Sequence, residues 1–290
     1  GALAVPEVEN LYLPLFSFQH GTVLERDNVA SVTGFDGLYG LVAMWMGTTG
    51  YVTSIPDFLG LGVSDVFHPY IIAEPSATSI IDMMRASREF CELIAINLNE
   101  QVFIGGYSEG GYATMAAHKM IEEEYPDEFH ITASAPCSGP YDLSGVMVEV
   151  MLASEEYGQP WYLPYTILAY QDAYNLVDNL SDYLLPFYAD TLPILFDGYH
   201  STSDIDAIMP SIPIEIFHPE VIEEFSNNPE HPLRLALSDN DLIDWAPQAL
   251  TTLYHSDEDE LVPVENSENA YIKFILNGAP QVEFQHDALG

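Results

Sequence analysis

The 290-residue sequence predicts an α/β fold, with a mostly parallel sheet flanked by helices and a large helical insertion. Three observations predict it. Short apolar runs alternate with longer amphipathic ones through the first half of the chain. That alternation stops near Pro140 and resumes near Ala249. A glycine-flanked serine stands where an apolar run gives way to a helical one, in "FIGGYSEGGYATMAAHKM" (103–120).

Taken in order, "LYLPLFSF" (11–18) reads as a strand that runs out into "QHGT". "GLYGLVAMWM" (37–46) reads as a helix and "GYVTSIPDF" (50–58) as the next strand. "SATSIIDMMRASREFCELIAI" (76–96) repeats its apolar residues at three- and four-residue steps, the period of an amphipathic helix. "QVFIGG" (101–106) is a short buried strand, "EGGYATMAAHKMIEEEY" (109–125) a helix, and "FHITASAPCSG" (129–139) a further strand. From 141 to 246 the chain is rich in Tyr, Leu, Pro and Trp and reads as helical, the size of a cap or lid domain. The core then resumes with strand "ALTTLYHS" (249–256), helix "ENSENAYIKFILNG" (265–278) and strand "QVEFQH" (281–286). The expected division is a core of 1–140 and 247–290 around an insertion of 141–246.

Composition narrows the function. There are 45 acidic residues against 6 basic ones, a formal net charge of −39. Such a surface repels nucleic acid and anionic membranes. Acid for solubility and adaptation to salty water both fit this composition. No apolar stretch reaches membrane-spanning length, so no stable membrane insertion is expected. "GALAVPEVEN" has no basic segment and no long apolar core, so no signal peptide is visible in this chain. The two cysteines, Cys91 and Cys137, form no metal-binding spacing and are expected as buried free thiols.

The glycines around Ser108 call for a reason, because glycine weakens both strands and helices. Gly106-Tyr107-Ser108-Glu109-Gly110 fits G-x-S-x-G, a sharp strand-to-helix turn that exposes a nucleophilic serine. Serine needs a base, and the base needs an orienting acid, in the chain order Ser, acid, His. "HSDEDELVP" (255–263) offers Asp257, Glu258 and Asp259 just past a strand; Asp259 is preferred and Asp257 stands second. Of nine histidines only His286 follows them, directly after "QVEF", where a loop is expected to carry it over the sheet edge. The oxyanion donors are expected from the amide of Glu109, at a helix N-terminus, and from Thr22 or Gly21 in "SFQHGT", with His20 bracing that loop.

Together "SFQHGT", "GYVTSIPDFLGLGVSDVFHPY", "IIDMMRASRE", "GGYSEGGYATMAAH", "APCSGPYDLSG" and "HSDEDELVP" resemble the α/β-hydrolase superfamily. More narrowly they resemble its secreted lipase/esterase and prolyl-peptidase-like branch. The resemblance implies the α/β-hydrolase fold. It assigns the triad acid to the Asp of D-x-x-V-P, here Asp259, and implies a secreted or periplasmic home. It makes Asp57 of "PDFLGLG" structural. Two departures stand out: the usual first strand has no counterpart, and Glu109 occupies a position where the family often has Gln.

These residues imply a serine hydrolase that cleaves carboxylic esters, a carboxylesterase or lipase working through an acyl-enzyme. Its partner is a small-molecule ester, and it needs no cofactor and no metal. "DNDLID" (239–244) lacks the spacing of a calcium loop. Tyr107, Trp161 and Tyr165 are the candidate pocket residues, with Tyr162, Tyr170, Phe187 and Phe196 as further aromatics of the insertion. A serine peptidase of the same fold is the alternative, supported if an acid of the insertion binds an α-amine. A non-catalytic binding protein is the third.

Overall fold

The computed structural model describes residues 1–8 and 11–287; residues 9, 10 and 288–290 lie outside the described residues. Seven strands form one sheet: β1 (Ala2–Ala4), β2 (Tyr12–Gln19), β3 (Val52–Ile55), β4 (Asn97–Tyr107), β5 (Ile131–Cys137), β6 (Leu250–Ser256) and β7 (Val282–Asp287). Their spatial order is β1-β3-β2-β4-β5-β6-β7. Every pairing is parallel except that of β1 with β3. Parallel strands covered on both faces read as unbroken apolar runs, and all four residues of β3 are buried. Helices Ala73–Leu93 and Glu109–Glu124 pack on each other, and Ile80, Ile81, Met84, Met115 and Ile121 are all buried in the main core. This is the architecture of an α/β-hydrolase.

Between β5 and β6 the described secondary-structure elements are helices joined by turns and loops, apart from one isolated bridge between Leu184 and Phe217. The elements lie close to the expected ranges, with one exception that matters. The loop expected to carry His286 directly after "QVEF" is strand instead, and β7 continues through His286 to Asp287. The reason is that β6 runs on to Ser256 and offers ladder partners for both: His255 opposite His286, and Ser256 opposite Asp287. His286 therefore sits within a strand and not on a loop.

The ladder also fixes which residues meet at the sheet's carboxyl edge. Gln19 is level with Gly106, Tyr107 with Cys137, Cys137 with Tyr254, and Tyr254 with Gln285. The loop after β2 thus leaves the sheet directly beside the end of β4. In open α/β sheets ligands bind at this edge. Cys91 and Cys137 are both free thiols. No described helix is long and apolar enough to cross a membrane.

Candidate active site

Ser108 links β4 to the helix Glu109–Glu124 with φ 58° and ψ −121°, a conformation that a side-chain-bearing residue adopts only under constraint. The constraint is visible. Ser108 N–H donates to the Cys137 carbonyl at 2.9 Å, and its own carbonyl accepts from Tyr112 N–H at 3.0 Å. The flanking glycines make room for the turn. A Cβ on Gly106 would stand 2.4 Å from the Gly110 carbonyl oxygen. A Cβ on Gly110 would stand 2.1 Å from that of Gln19 and 2.5 Å from that of His20. The "GYSEG" pattern is thus a close approach of two backbones, with the serine lifted at the bend.

Gly21 meets the elbow from the β2 side. A Cβ there would come within 3.3 Å of the Tyr107 carbonyl oxygen and 3.7 Å of Ser108 Cβ. His20 is fully buried; its Nδ1 lies 2.8 Å from the Gly21 carbonyl oxygen and its Nε2 3.2 Å from that of Asp57. Burial lowers the pKa of this ring below the ordinary value, outweighing the opposing pull of Glu109 and of those carbonyls. Thr22 Oγ1 is 3.1 Å from the hydroxyl of Tyr70. Glu109 is the first residue of its helix, where the amide has no intrahelical acceptor and the helix dipole favours negative charge.

Ser108 opens into a mostly apolar cleft. Its walls include Ile71, Met147, Val150, Met151, Leu163 and Val262, with Tyr70, Tyr157 and Tyr162 as the aromatics. The expected pocket residues Tyr107, Trp161 and Tyr165 do not line it. Tyr107 points outward at the end of β4 and is exposed. Trp161 is buried, and its indole N–H donates to Gln159 at 2.7 Å. Tyr165 stacks on Tyr70, with ring centroids 4.5 Å apart. The cause is helical phase: Tyr162 and Thr166, four residues apart on helix Tyr162–Tyr174, share the face toward the cleft. A second, small apolar cavity, lined by Ile167, Ile214, Phe217 and Leu233, shares Met151 and Leu163 as walls with the first.

The acid loop reaches the cleft through Val262 and through the hydroxyl of Tyr157, which donates to the Leu261 carbonyl at 2.8 Å. Asp259 Oδ1 accepts from the amides of Leu261 (3.0 Å) and Val262 (2.9 Å), and its Oδ2 lies 3.5 Å from His255 Nε2. Burial opposes the charge on Asp259, but His255 and those amides outweigh it and hold the carboxyl below its ordinary range. His255 is itself buried and fully used: its Nε2–H donates to the Val262 carbonyl at 2.8 Å and its Nδ1 accepts from Ser267 at 2.7 Å.

His286 pairs with Asp257, Nδ1 to Oδ1 at 2.7 Å, and not with the preferred Asp259. Its ring stacks on Phe284 and is exposed. β7 lies three strand positions from β4, so the two backbones are about 14 Å apart at ordinary strand spacing. Among the described residues no histidine ring is hydrogen-bonded to Ser108. His286 and Tyr107 instead line a shallow groove that crosses the sheet edge past Cys137 and Tyr254. The structure thus brings Ser108, Glu109 and Gly21 together and sets His286 apart from them. Sequence reasoning missed Tyr157 and Tyr70 as cleft walls, and it missed His68, which contacts the Glu109 side chain. His68 is 41 positions from Glu109, and no local pattern marks it.

The family model for secretory lipases matches residues 33–151. No curated protein matches the sequence. Among solved structures, the rice cell wall degrading esterase LipA from Xanthomonas oryzae is 31% identical, over 99% of this chain and 78% of that one, with a TM-score of 0.91. A putative hydrolase from Legionella pneumophila is 28% identical over 99% and 76%, with a TM-score of 0.90. Candida antarctica lipase A, 17% identical over 99% and 67% with a TM-score of 0.73, shares the fold. Joined to the serine elbow and the shared sheet, this likeness over nearly the whole chain shows that the protein belongs to the secretory lipase family of α/β-hydrolases and is a carboxylic ester hydrolase.

Proposed function

We propose that the protein hydrolyses small-molecule carboxylic esters through an acyl-enzyme on Ser108. The observation that carries this is the strained elbow at Ser108, with the amide of Glu109 and the Gly21 loop beside it at the mouth of the apolar cleft. Ser108 Oγ attacks the ester carbonyl, and the Glu109 amide and an amide of the Gly21–Thr22 loop receive the oxyanion. A histidine takes the serine proton, returns it to the leaving alcohol, and then activates water for deacylation.

We assign the base to His286, oriented by Asp257, to which it is already bonded, or by Asp259. Catalysis by His286 requires the last residues of β7 to leave the β6 ladder and carry the ring along the groove toward Tyr107. That movement breaks the ladder pairs of His255 with His286 and of Ser256 with Asp287, and the bond from the Asp257 N–H to the Asp287 carbonyl. The apolar cleft and its neighbouring cavity suit an acyl chain, the tail passing between Met151 and Leu163. Residues 141–246 act as the cap that supplies this roof, and the family suggests a secreted enzyme. Against a peptidase, Glu109 is the only carboxylate among the described cleft residues, and it is already paired with His68.

The test is release of p-nitrophenol from esters of two, four, eight and sixteen carbons, by wild type and Ser108→Ala side by side. Turnover with one chain-length optimum, abolished in Ser108→Ala, is expected. Turnover that survives in Ser108→Ala refutes the assignment, and turnover only on proline-containing amides moves it to peptidase.

A further inference from the structure

A carboxylate next to a developing oxyanion should raise the barrier, yet Glu109 both donates the oxyanion amide and carries an acid. The structure resolves the conflict through His68. Glu109 Oε1 lies 2.6 Å from His68 Nε2, and both side chains are buried, at 2% and 6% exposure. His68 Nδ1 lies 2.6 Å from the Leu59 carbonyl oxygen. A carbonyl only accepts, so Nδ1 carries a proton. At 2.6 Å, Nε2 and Oε1 cannot both present lone pairs, so a second proton lies between them. The pair is therefore neutral overall, whether written as imidazolium with carboxylate or as imidazole with carboxylic acid.

No other group near Glu109 does this work. The titratable neighbours that sense its charge are His20 beyond β2, Tyr39 on helix Leu38–Thr48, Tyr70, and Tyr162 and Tyr165 from the insertion. The tyrosines cannot supply a positive charge; His20 has both ring nitrogens turned to the Gly21 and Asp57 carbonyls rather than to Glu109, and burial disfavours its charged form. Among the described residues, buried Glu109 Oε2 has no hydrogen-bond partner and the carboxyl's one hydrogen bond is to His68.

Resting on the assignment of Ser108 as nucleophile, we infer that His68 is a positioning residue of the oxyanion hole: it holds the Glu109 side chain away from the reacting carbonyl and keeps a proton on the pair, so that the Glu109 amide faces the oxyanion without a negative charge behind it. Burial disfavours the charged ring, but the adjoining Glu109 outweighs it and raises the His68 pKa above the ordinary value. The proton is thus held to higher pH than on a free imidazole; once pH rises past that point the pair becomes anionic and kcat should fall.

The test is a double-mutant cycle on a soluble p-nitrophenyl ester, with kcat and KM measured across pH and folding followed by thermal denaturation. His68→Ala should lower kcat about a hundredfold, the scale of a lost oxyanion donor, with little change in KM. In a Glu109→Gln background, where no charge needs removing, the same change should cost less than about fivefold. Glu109→Gln alone, which keeps His68 and its packing, should lose the alkaline fall in kcat; this arm decides the matter even if His68→Ala fails to fold. Equal cost of His68→Ala in both backgrounds, or an alkaline limb unchanged in Glu109→Gln, overturns the inference while leaving the Ser108 assignment standing. Turnover persisting in Ser108→Ala overturns both.

Discussion

Gly110→Ala puts the elbow under direct load. A methyl there would stand 2.1 Å from the Gln19 carbonyl oxygen and 2.5 Å from that of His20, and both are backbone atoms that cannot rotate aside. Relief to ordinary contact needs a shift of about 1 Å in the end of β2. Gly21 follows those two residues and rests against Ser108, so the oxyanion loop moves with them. Overpacking of this kind costs about 1–3 kcal/mol, partly offset by about 1 kcal/mol of helix propensity gained on replacing glycine. A misplacement of about 1 Å in a catalytic group costs on the order of a hundredfold in rate. The expected result is a modestly lowered Tm with a large loss of kcat. Gly47→Ala is the matched control. It lies in helix Leu38–Thr48 with nothing within 4 Å of a new Cβ, so it should gain up to about 1 kcal/mol and leave turnover alone. Calorimetry and p-nitrophenyl ester turnover on both variants suffice. Gly110→Ala with unchanged Tm and kcat would refute the close-approach explanation of the motif.

Other expectations follow from the same site. His286→Ala should lower kcat by about a thousandfold or more, and of Asp257→Asn and Asp259→Asn one should cost at least about a hundredfold; a fully active His286→Ala excludes that residue as base. Met151→Trp or Leu163→Trp, filling the wall between the two cavities, should shift the optimum toward shorter acyl chains in the ester series, and an unmoved optimum places the chain elsewhere. Asp259 is held below its ordinary pKa, so its contribution to stability is complete above the unfolded value near pH 4 and fades as pH falls through the folded value. Asp259→Asn should therefore show a shallower fall in Tm on acidification below about pH 4, and an identical slope would show that the loop does not depend on that charge.

The parts legible in the sequence are those fixed by local pattern. Alternating periodicity located the strands and helices, and glycines bracketing a serine located the elbow, because close backbone approach leaves a mark at each position involved. Helical phase was less legible. Trp161, Tyr162 and Tyr165 are equally aromatic, and only the packed position of helix Tyr162–Tyr174 shows that Tyr162 lines the cleft while Tyr165 stacks on Tyr70. The loop placement of His286 was misjudged because the ladder with β6, not the residues around His286, decides whether the chain stays in the sheet there. His68 was invisible for the same kind of reason: its partner is set by folding across the sheet, far along the chain.

The sheet also dictates when the site comes into being. β5 ends at Cys137, yet its neighbour β6 begins only at Leu250, after the whole helical insertion. The elbow, its amide loop and the acid loop come from both ends of the chain and meet only once that long-range pairing is complete. A partly synthesised chain, or one threaded unfolded across a barrier, holds the serine without the surroundings that activate it. Delayed assembly of this kind slows folding, since distant contacts must close first.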